Sequence, residues 1–179
     1  TCASRTDTSL WCWGANDQGQ LGTPSQRSGP GASPVFTDAA DVAASHAASC
    51  VIRLAGSLWC SGSNITGGLG DASGLDSNLP VQVGADVDWA TVTAGGFIGV
   101  FGDPVAFACA TKDSGTLWCW GDNSSGQLGD GTLFQSDVPN QVGSATNWSS
   151  VSAGSNFVCG IQGIGDLSCW GAGSLGQLG

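Results

Sequence analysis

One phrase, built on a cysteine flanked by tryptophan, is written four times along this chain. It reads "SLWCWGANDQGQLG" at 9–22, "SLWCSGSNITGGLG" at 57–70, "TLWCWGDNSSGQLG" at 116–129 and "LSCWGAGSLGQLG" at 167–179. The glycine that closes each tryptophan segment stands at Gly14, Gly62, Gly121 and Gly171, a period of about 50 residues. A period of this length marks an array of supersecondary units that bury their apolar faces only by stacking. A second phrase precedes the later copies: "DVAASHAASCVI" (41–52), "ATVTAGGFIGVFGDPVAFACAT" (90–111) and "SSVSAGSNFVCGI" (149–161). A third lies between them: "SPVF" (33–36), "LPVQVG" (79–84) and "VPNQVG" (138–143). The chain therefore reads as a single array over 1–179, with repeat phrases at 1–32 (partial), 33–78, 79–137 and 138–179.

Short strands between turns are the local structure this vocabulary favours. Thirty glycines and the absence of Glu and Met leave few helix formers. Four strands of about five residues in a unit of about 50 fit a blade of a β-propeller, a small antiparallel sheet with two apolar faces. The expected fold is all-β, with four-stranded antiparallel blades, about three and a half of them in this stretch.

The eight cysteines form four pairs with equal spacing: Cys2 with Cys12, Cys50 with Cys60, Cys109 with Cys119, and Cys159 with Cys169. If Cys109 and Cys119 face each other across a hairpin, Lys112 faces Thr116 and Asp113-Ser114-Gly115 is a three-residue loop. Gly115 then falls where such a loop needs a left-handed residue. Gly56 and Gly165 hold the same place, and Thr8 departs from it. Facing residues of antiparallel strands are close enough for a disulfide. Four cross-strand disulfides are expected, each contributing roughly 2–3 kcal/mol. Zinc is disfavoured, because its ligand spacings are shorter and His46 is the sole histidine. Paired cysteines with none left over point to an oxidising compartment, secreted, cell-surface or periplasmic.

The order Val-x-Ala-Gly, cysteine strand, then Leu-Trp-Cys-Trp-Gly-x-Asn-x-x-Gly-Gln-Leu-Gly-x-Gly-Thr, written most fully at 117–132, resembles the regulator of chromosome condensation repeat family. The resemblance covers essentially the whole chain and implies a seven-bladed propeller. Ser61 departs from it by replacing the second tryptophan, Gly67-Gly68 replaces Gly-Gln, "ASHAAS" (44–49) replaces the Ala-Gly lead-in, and residues are inserted near "FIGVFGDPVA" (97–106). The family's name activity, guanine nucleotide exchange on a small GTPase, is the least expected function. It is intracellular, where paired thiols stay reduced, and fold membership does not license an activity. Because the first residues, "TCAS", read as mid-strand, the sequence is expected to be a portion of a longer polypeptide, completed by more chain or by neighbouring copies.

No catalytic constellation, metal site or cofactor motif is visible. His46 reads as a turn histidine, since Ser45 and Ser49 in the same segment point past it. "DNSSGQLGDGTL" (122–133) misses the calcium-loop pattern, with Leu133 where the bidentate Glu belongs. Trp11 and Trp13 share one strand face, as do Trp118 and Trp120. These and Trp170 read as packing between blades, and Trp89 and Trp148 recur at one blade position. A net charge of −10, every acid being Asp, argues against nucleic acid. No apolar run is long enough to span a membrane. Three sequons, at Asn64, Asn123 and Asn147, offer candidate glycosylation, two of them in turns expected to be exposed. Phe97, Ile98, Val100 and Phe101 form a candidate partner-contact loop. The expected function is a non-catalytic extracellular scaffold, a building block of an appendage or filament. The alternative is a secreted binding module: an adhesin, lectin or enzyme inhibitor. Partners would be proteins or glycans at the cell surface, or copies of the chain head to tail.

Overall fold

A computed structural model describes residues 1–24, 29–99 and 101–179. The described chain holds fourteen strands and no helix, so nothing in it is a helix long and apolar enough to cross a membrane. The first sheet joins β1 (Cys2–Ser4), β2 (Leu10–Gly14) and β3 (Gly29–Phe36). The second joins β4 (Ala39–Ala44), β5 (Ala48–Arg53), β6 (Leu58–Gly62) and β7 (Ser77–Gln82). The third joins β8 (Trp89–Ile98), β9 (Pro104–Lys112), β10 (Leu117–Gly121) and β11 (Ser136–Gln141). The fourth joins β12 (Trp148–Ala153), β13 (Phe157–Gln162) and β14 (Asp166–Gly171). All pairings are antiparallel, and these are propeller blades. Sequence phrases and sheets are out of step by one strand. The Pro-Val segment pairs with the tryptophan strand before it, as β7 does with β6, and so closes the preceding blade.

Each blade has a cysteine face and a tryptophan face, because neighbouring side chains of a strand point to opposite sides. In blade 3, Cys109 and Cys119 lie on one side, while Ala108, Ala110, Trp118 and Trp120 lie on the other. The cysteine face of each blade packs on the tryptophan face of the next. Cys50, Ile52, Leu58 and Cys60 of blade 2 meet Trp89, Val92 and Trp120 of blade 3. Phe107, Cys109, Leu117 and Cys119 of blade 3 meet Trp148, Val158 and Trp170 of blade 4. Leu10 and Cys12 of blade 1 meet Val42, Val51 and Trp59 of blade 2. The alanines of β9 are small because the indoles need the room. The equivalent Gly160 shows this, since a Cβ there would come within 2.5 Å of the Trp148 ring.

Four disulfides join the residues that face each other on the hairpins. Cys2 bonds Cys12, Cys50 bonds Cys60, Cys109 bonds Cys119 and Cys159 bonds Cys169, with Cα atoms 4.1 Å apart in every case. This is the pairing that the spacing and the turn chemistry predict. Counting inward from the bonded pair Lys112 N–H to Thr116 C=O, Cys109 and Cys119 fall on a non-hydrogen-bonded pair, where strands approach most closely. The bridges differ in cover. Cys109 and Cys119 are buried beneath blade 4, whereas Cys159 and Cys169, on the outward face of blade 4, are half-buried.

The hairpin turns also connect blades. Gly56 and Gly115 adopt φ of +79° and +75°, and their carbonyls accept the backbone N–H of Trp89 and Trp148 from the next blade. A Cβ at Gly56 would lie 2.1 Å from the carbonyl oxygen of Val87, and one at Gly115 would lie 2.3 Å from that of Thr146. Thr8 takes the same place with φ of +65°. Its carbonyl accepts from Ala39 N–H, and its Oγ1 donates at 2.8 Å to Thr37 C=O, the counterpart of the carbonyl that excludes a side chain in the other blades. The odd residue thus turns a forbidden contact into a hydrogen bond.

Gly131 has φ of +79° but open space around it, so it separates backbone strain from collision. Gly131→Ala should cost about 1 kcal/mol, and Gly115→Ala at least about 2 kcal/mol more, read by chemical denaturation. Equal losses would show that the turn does not hold the junction.

Candidate functional site

The polar letters of the repeated phrase are consumed inside the blade. After the tryptophan strand the chain bulges at Gly121, φ +100°, and Asp122 N–H bonds Ala106 C=O. Asn123 follows, fully buried. Its Oδ1 accepts Leu128 N–H at 2.9 Å, and its Nδ2 donates towards Asp130 Oδ1 and the carbonyls of Thr132 and Phe134. Asn64 repeats this with Leu69 N–H, Asp71 and Ser73, and Asn16 with Leu21 N–H. Gln127 is also buried, its Oε1 accepting Ser125 N–H and its Nε2 bonded to Asp122. A buried amide serves here as the internal template of a loop.

The same loop is where the next blade's indole docks. Trp120 Nε1 donates to Gly68 C=O at 3.1 Å, and Trp170 Nε1 to Gln127 C=O at 3.0 Å. Gly70 and Gly129 lie so close under these rings that a Cβ on either would come within 2.7 Å of the indole nitrogen. At the first junction Ser61 stands in for the tryptophan, and Val35 and Pro80 close around Gly22. The outer indoles Trp11, Trp59 and Trp118 bond the hydroxyls of Ser9, Ser57 and Thr116 two residues back. Trp89 and Trp148 Nε1 find no acceptor, and their rings lie tilted against Trp120 and Trp170 at 6.0 and 5.8 Å.

The described basic side chains share one repeat position, at the hairpin-turn edge of the blades. Arg5 lies over the Trp11 ring, and Arg53 pairs with Asp38 and covers Phe36. Lys112 lies between the Trp89 and Trp118 rings and pairs with Asp86 and Asp88. Burial pulls its pKa down, but the two carboxylates outweigh that and hold it above the usual lysine value.

The opposite, loop-bearing edge is shaped differently. The inserted residues lengthen the β8–β9 hairpin, closed by Gly99 N–H to Asp103 C=O. Phe97 is half-buried, Ile98 is 49% exposed and Phe101 is 93% exposed, while Val100 lies outside the described residues. An open cleft of about 400 Å³ runs from this hairpin (Ile98, Gly102, Pro104) past the turn at Ser45 and His46 to the first loop (Asp17, Gln18, Gln20). Among the described residues no group of three or more His, Cys, Asp or Glu is gathered to hold a metal.

The family model for the regulator of chromosome condensation (RCC1) repeat matches residues 7–52 and 114–161, half of the chain. The chain belongs to the RCC1 repeat family. No curated protein matches it. Solved structures share its fold. Yeast RCC1 (Prp20), solved bound to Kap60, superposes with a TM-score of 0.73 at 17% identity, over 92% of this chain and 40% of that one. Human WBSCR16 gives 0.70 at 19%, over 90% and 42%. Prp20p from Saccharomyces cerevisiae, described with its binding properties to Gsp1p and histones, gives 0.69 at 17%, over 94% and 42%. The chain therefore spans about two-fifths of the length of these structures.

Within these RCC1 repeats the sequons separate sharply. Asn64 and Asn123 were expected in exposed turns. They are instead 1% and 0% exposed, with Nδ2 committed to the loop template, so the folded blade has no room for a sugar there. Asn147, just before β12, is exposed. No motif in the sequence separates a sequon amide from a template amide, but the recurrence of Asn two residues after the bulge glycine in three copies was a usable signal.

Glycopeptide mapping of the chain secreted from a eukaryotic host should find Asn64 and Asn123 bare, leaving Asn147 as the one sequon open to modification. Asn123→Ala should cost about 3 kcal/mol by denaturation, since it strands buried donors and acceptors, whereas Asn147→Gln should be neutral.

Asp130 supports the same template. Burial raises its pKa, but the N–H and hydroxyl of Thr132 and the Asn123 amide outweigh this and hold it below its ordinary 3.8. A depressed carboxylate contributes stability that is complete above the ordinary value and is lost as pH falls through the folded one. Thermal melts should therefore fall as pH drops below 3.8, and less steeply in Asp130→Asn.

Proposed function

We propose that this RCC1-repeat chain is a non-catalytic interaction scaffold that works outside the reducing cytosol and stacks, sheet on sheet, with further repeats of its own kind. The observation that carries the stacking is a contrast at one blade position. Leu10, Leu58 and Leu117 are 3%, 0% and 0% exposed beneath the following blade, while their counterpart Leu167 is 66% exposed on the outward cysteine face of blade 4, beside the Cys159–Cys169 bridge. Blade 1 turns the half-buried Trp11 and Trp13 outward at the other end. These two surfaces are the halves of the junction already repeated inside the array. Further repeats, of the same polypeptide or of a neighbouring copy, would cover such surfaces.

The location rests on the disulfides. Cys12, Cys50, Cys60, Cys109 and Cys119 are between 0% and 3% exposed, filling the junctions that hold blades together. Reduction would remove four covalent ties from the sheets' closest contacts. Such bonds persist in oxidising compartments. Protein recognition by this fold is supported by analogy with Prp20, which was solved in complex with Kap60. The non-catalytic reading rests on how the polar side chains of the motif are used, as loop templates and indole partners.

Sedimentation velocity at rising concentration should show a growing oligomer population that Leu167→Asp abolishes, with discs or filaments by electron microscopy. A monomer at every concentration, or oligomers indifferent to Leu167→Asp, would refute the stacking. Thiol titration of unfolded, unreduced native material should find no free sulfhydryl among the eight cysteines. Eight free thiols would refute a location outside the reducing cytosol.

A further inference from the structure

The cleft at the loop-bearing edge is walled in part by the lengthened β8–β9 hairpin. Its hairpin is fixed at the base by the neighbouring blade. Ser63 Oγ donates to Pro104 C=O at 3.1 Å, and Thr66 Oγ1 to Ala106 C=O at 3.0 Å. Two main-chain bonds tighten its tip, from Gly99 N–H to Asp103 C=O and from Gly102 N–H to Gly99 C=O. A hairpin bonded at its base to the neighbouring blade has less to order when a partner docks. It nevertheless holds Phe101 almost wholly in water, with Ile98 half-exposed beside the cleft. An aromatic side chain presented on a braced hairpin beside a concave surface is how an interface anchor is built.

Charge indicates what it would grip. Strand direction places Arg5, Arg53 and Lys112 at the hairpin-turn edge, away from the cleft. Among the described residues the loop-bearing edge carries no Lys or Arg: Asp17 lines the cleft beside His46 and Thr1, Asp103 lies on the hairpin between the lining residues Gly102 and Pro104, and Asp71, Asp76, Asp130 and Asp137 lie on the same edge. A second copy of this edge would set like charge against like, and a nucleic acid would be repelled.

We propose that this cleft seats a protein segment bearing Lys or Arg beside apolar side chains, with Ile98 and Phe101 gripping the apolar groups and the surrounding aspartates orienting the cations. The proposal rests on the interaction-scaffold reading but uses a surface separate from the end sheets.

Fluorescein-labelled 12-residue peptides of alternating Lys-Leu, Lys-Ser and Glu-Leu serve as probes, read by anisotropy on the intact chain. The Lys-Leu peptide should bind, more weakly as salt rises. Ile98→Ser with Phe101→Ser should weaken it at least ten-fold, and Asp17→Asn with Asp103→Asn at least five-fold, with a flatter salt dependence. Asp113→Asn with Asp166→Asn, at the opposite edge, should leave it unchanged. Asp103→Asn alone gives a second reading if the Asp17 variant loses its circular dichroism spectrum. Absence of Lys-Leu binding, equal binding of Lys-Ser or Glu-Leu, or equal affinity in all variants would overturn the proposal. Peptide binding without oligomerisation would sink only the stacking, and oligomerisation without peptide binding only the cleft.

Discussion

The rest of the structure depends on a three- or four-stranded sheet having two apolar faces and no interior of its own. The apolar burial that holds the fold together acts between sheets. A cysteine face offers two bonded sulfurs and a leucine in a nearly flat layer, and the following tryptophan face lays an indole on it and anchors the indole nitrogen to the preceding loop. Burial of Trp120 and Leu117 to 0% exposure is a property of the pair of blades, since a single blade would leave these residues in water. The disulfide fits this position because it sits on the non-hydrogen-bonded pair, where strands are closest and bridging disturbs the ladder least.

The repeated phrase thus works by joining its two ends across a boundary. Its tryptophan belongs to one junction and its Gly-Gln-Leu-Gly turn to the next, so each copy recognises the copy before it and the copy after it. Where the tryptophan is lost, at Ser61, the partner turn meets Val35 and Pro80 instead, and the blades still close. In the second copy Gln is likewise replaced by Gly68, whose missing Cβ would come within 2.8 Å of the Ala106 side chain, and Thr66 makes the cross-blade bond. Substitutions at one end are matched by adjustment at the other.

What the sequence made legible was what depends on period and turn chemistry. The alternation of tryptophan and cysteine gave the two faces, and the spacing with Gly115 gave the hairpin register, since both follow from local backbone geometry. The same register held for Cys159 and Cys169, where Gly165 takes the turn position. Less legible was anything set by what lies above a residue. Asn64 and Asn123 have the letters of surface sequons, and only the tertiary loop shows their amides facing inward. The Pro-Val strand has the same pattern whether it opens one sheet or closes another, so its partner was undetermined until the pairing of β6 with β7 was seen. The insertion read as a loop because "FIGVFGDPVA" breaks the repeat, although its flanking residues Phe97–Ile98 and Pro104–Val105 continue the β8–β9 ladder.

The two edges of the array differ in how much change they can absorb, and this bears on where recognition can arise. At the hairpin-turn edge the backbone of one blade lies against the next with no room for a Cβ at Gly56 or Gly115, so the junction constrains the turn, and where a side chain is admitted, at Thr8, it is bonded into the junction. At the loop-bearing edge the β8–β9 hairpin has grown beyond its counterparts while the faces below it pack as in the other blades, with Phe107 and Ala108 still at 1% exposure. Growth there leaves the interblade contacts intact, since each added pair of residues extends the ladder away from the core. A fold built this way can change its surface at one edge while the other keeps the blades in register. The exposed phenylalanine stands on the edge that is free to vary.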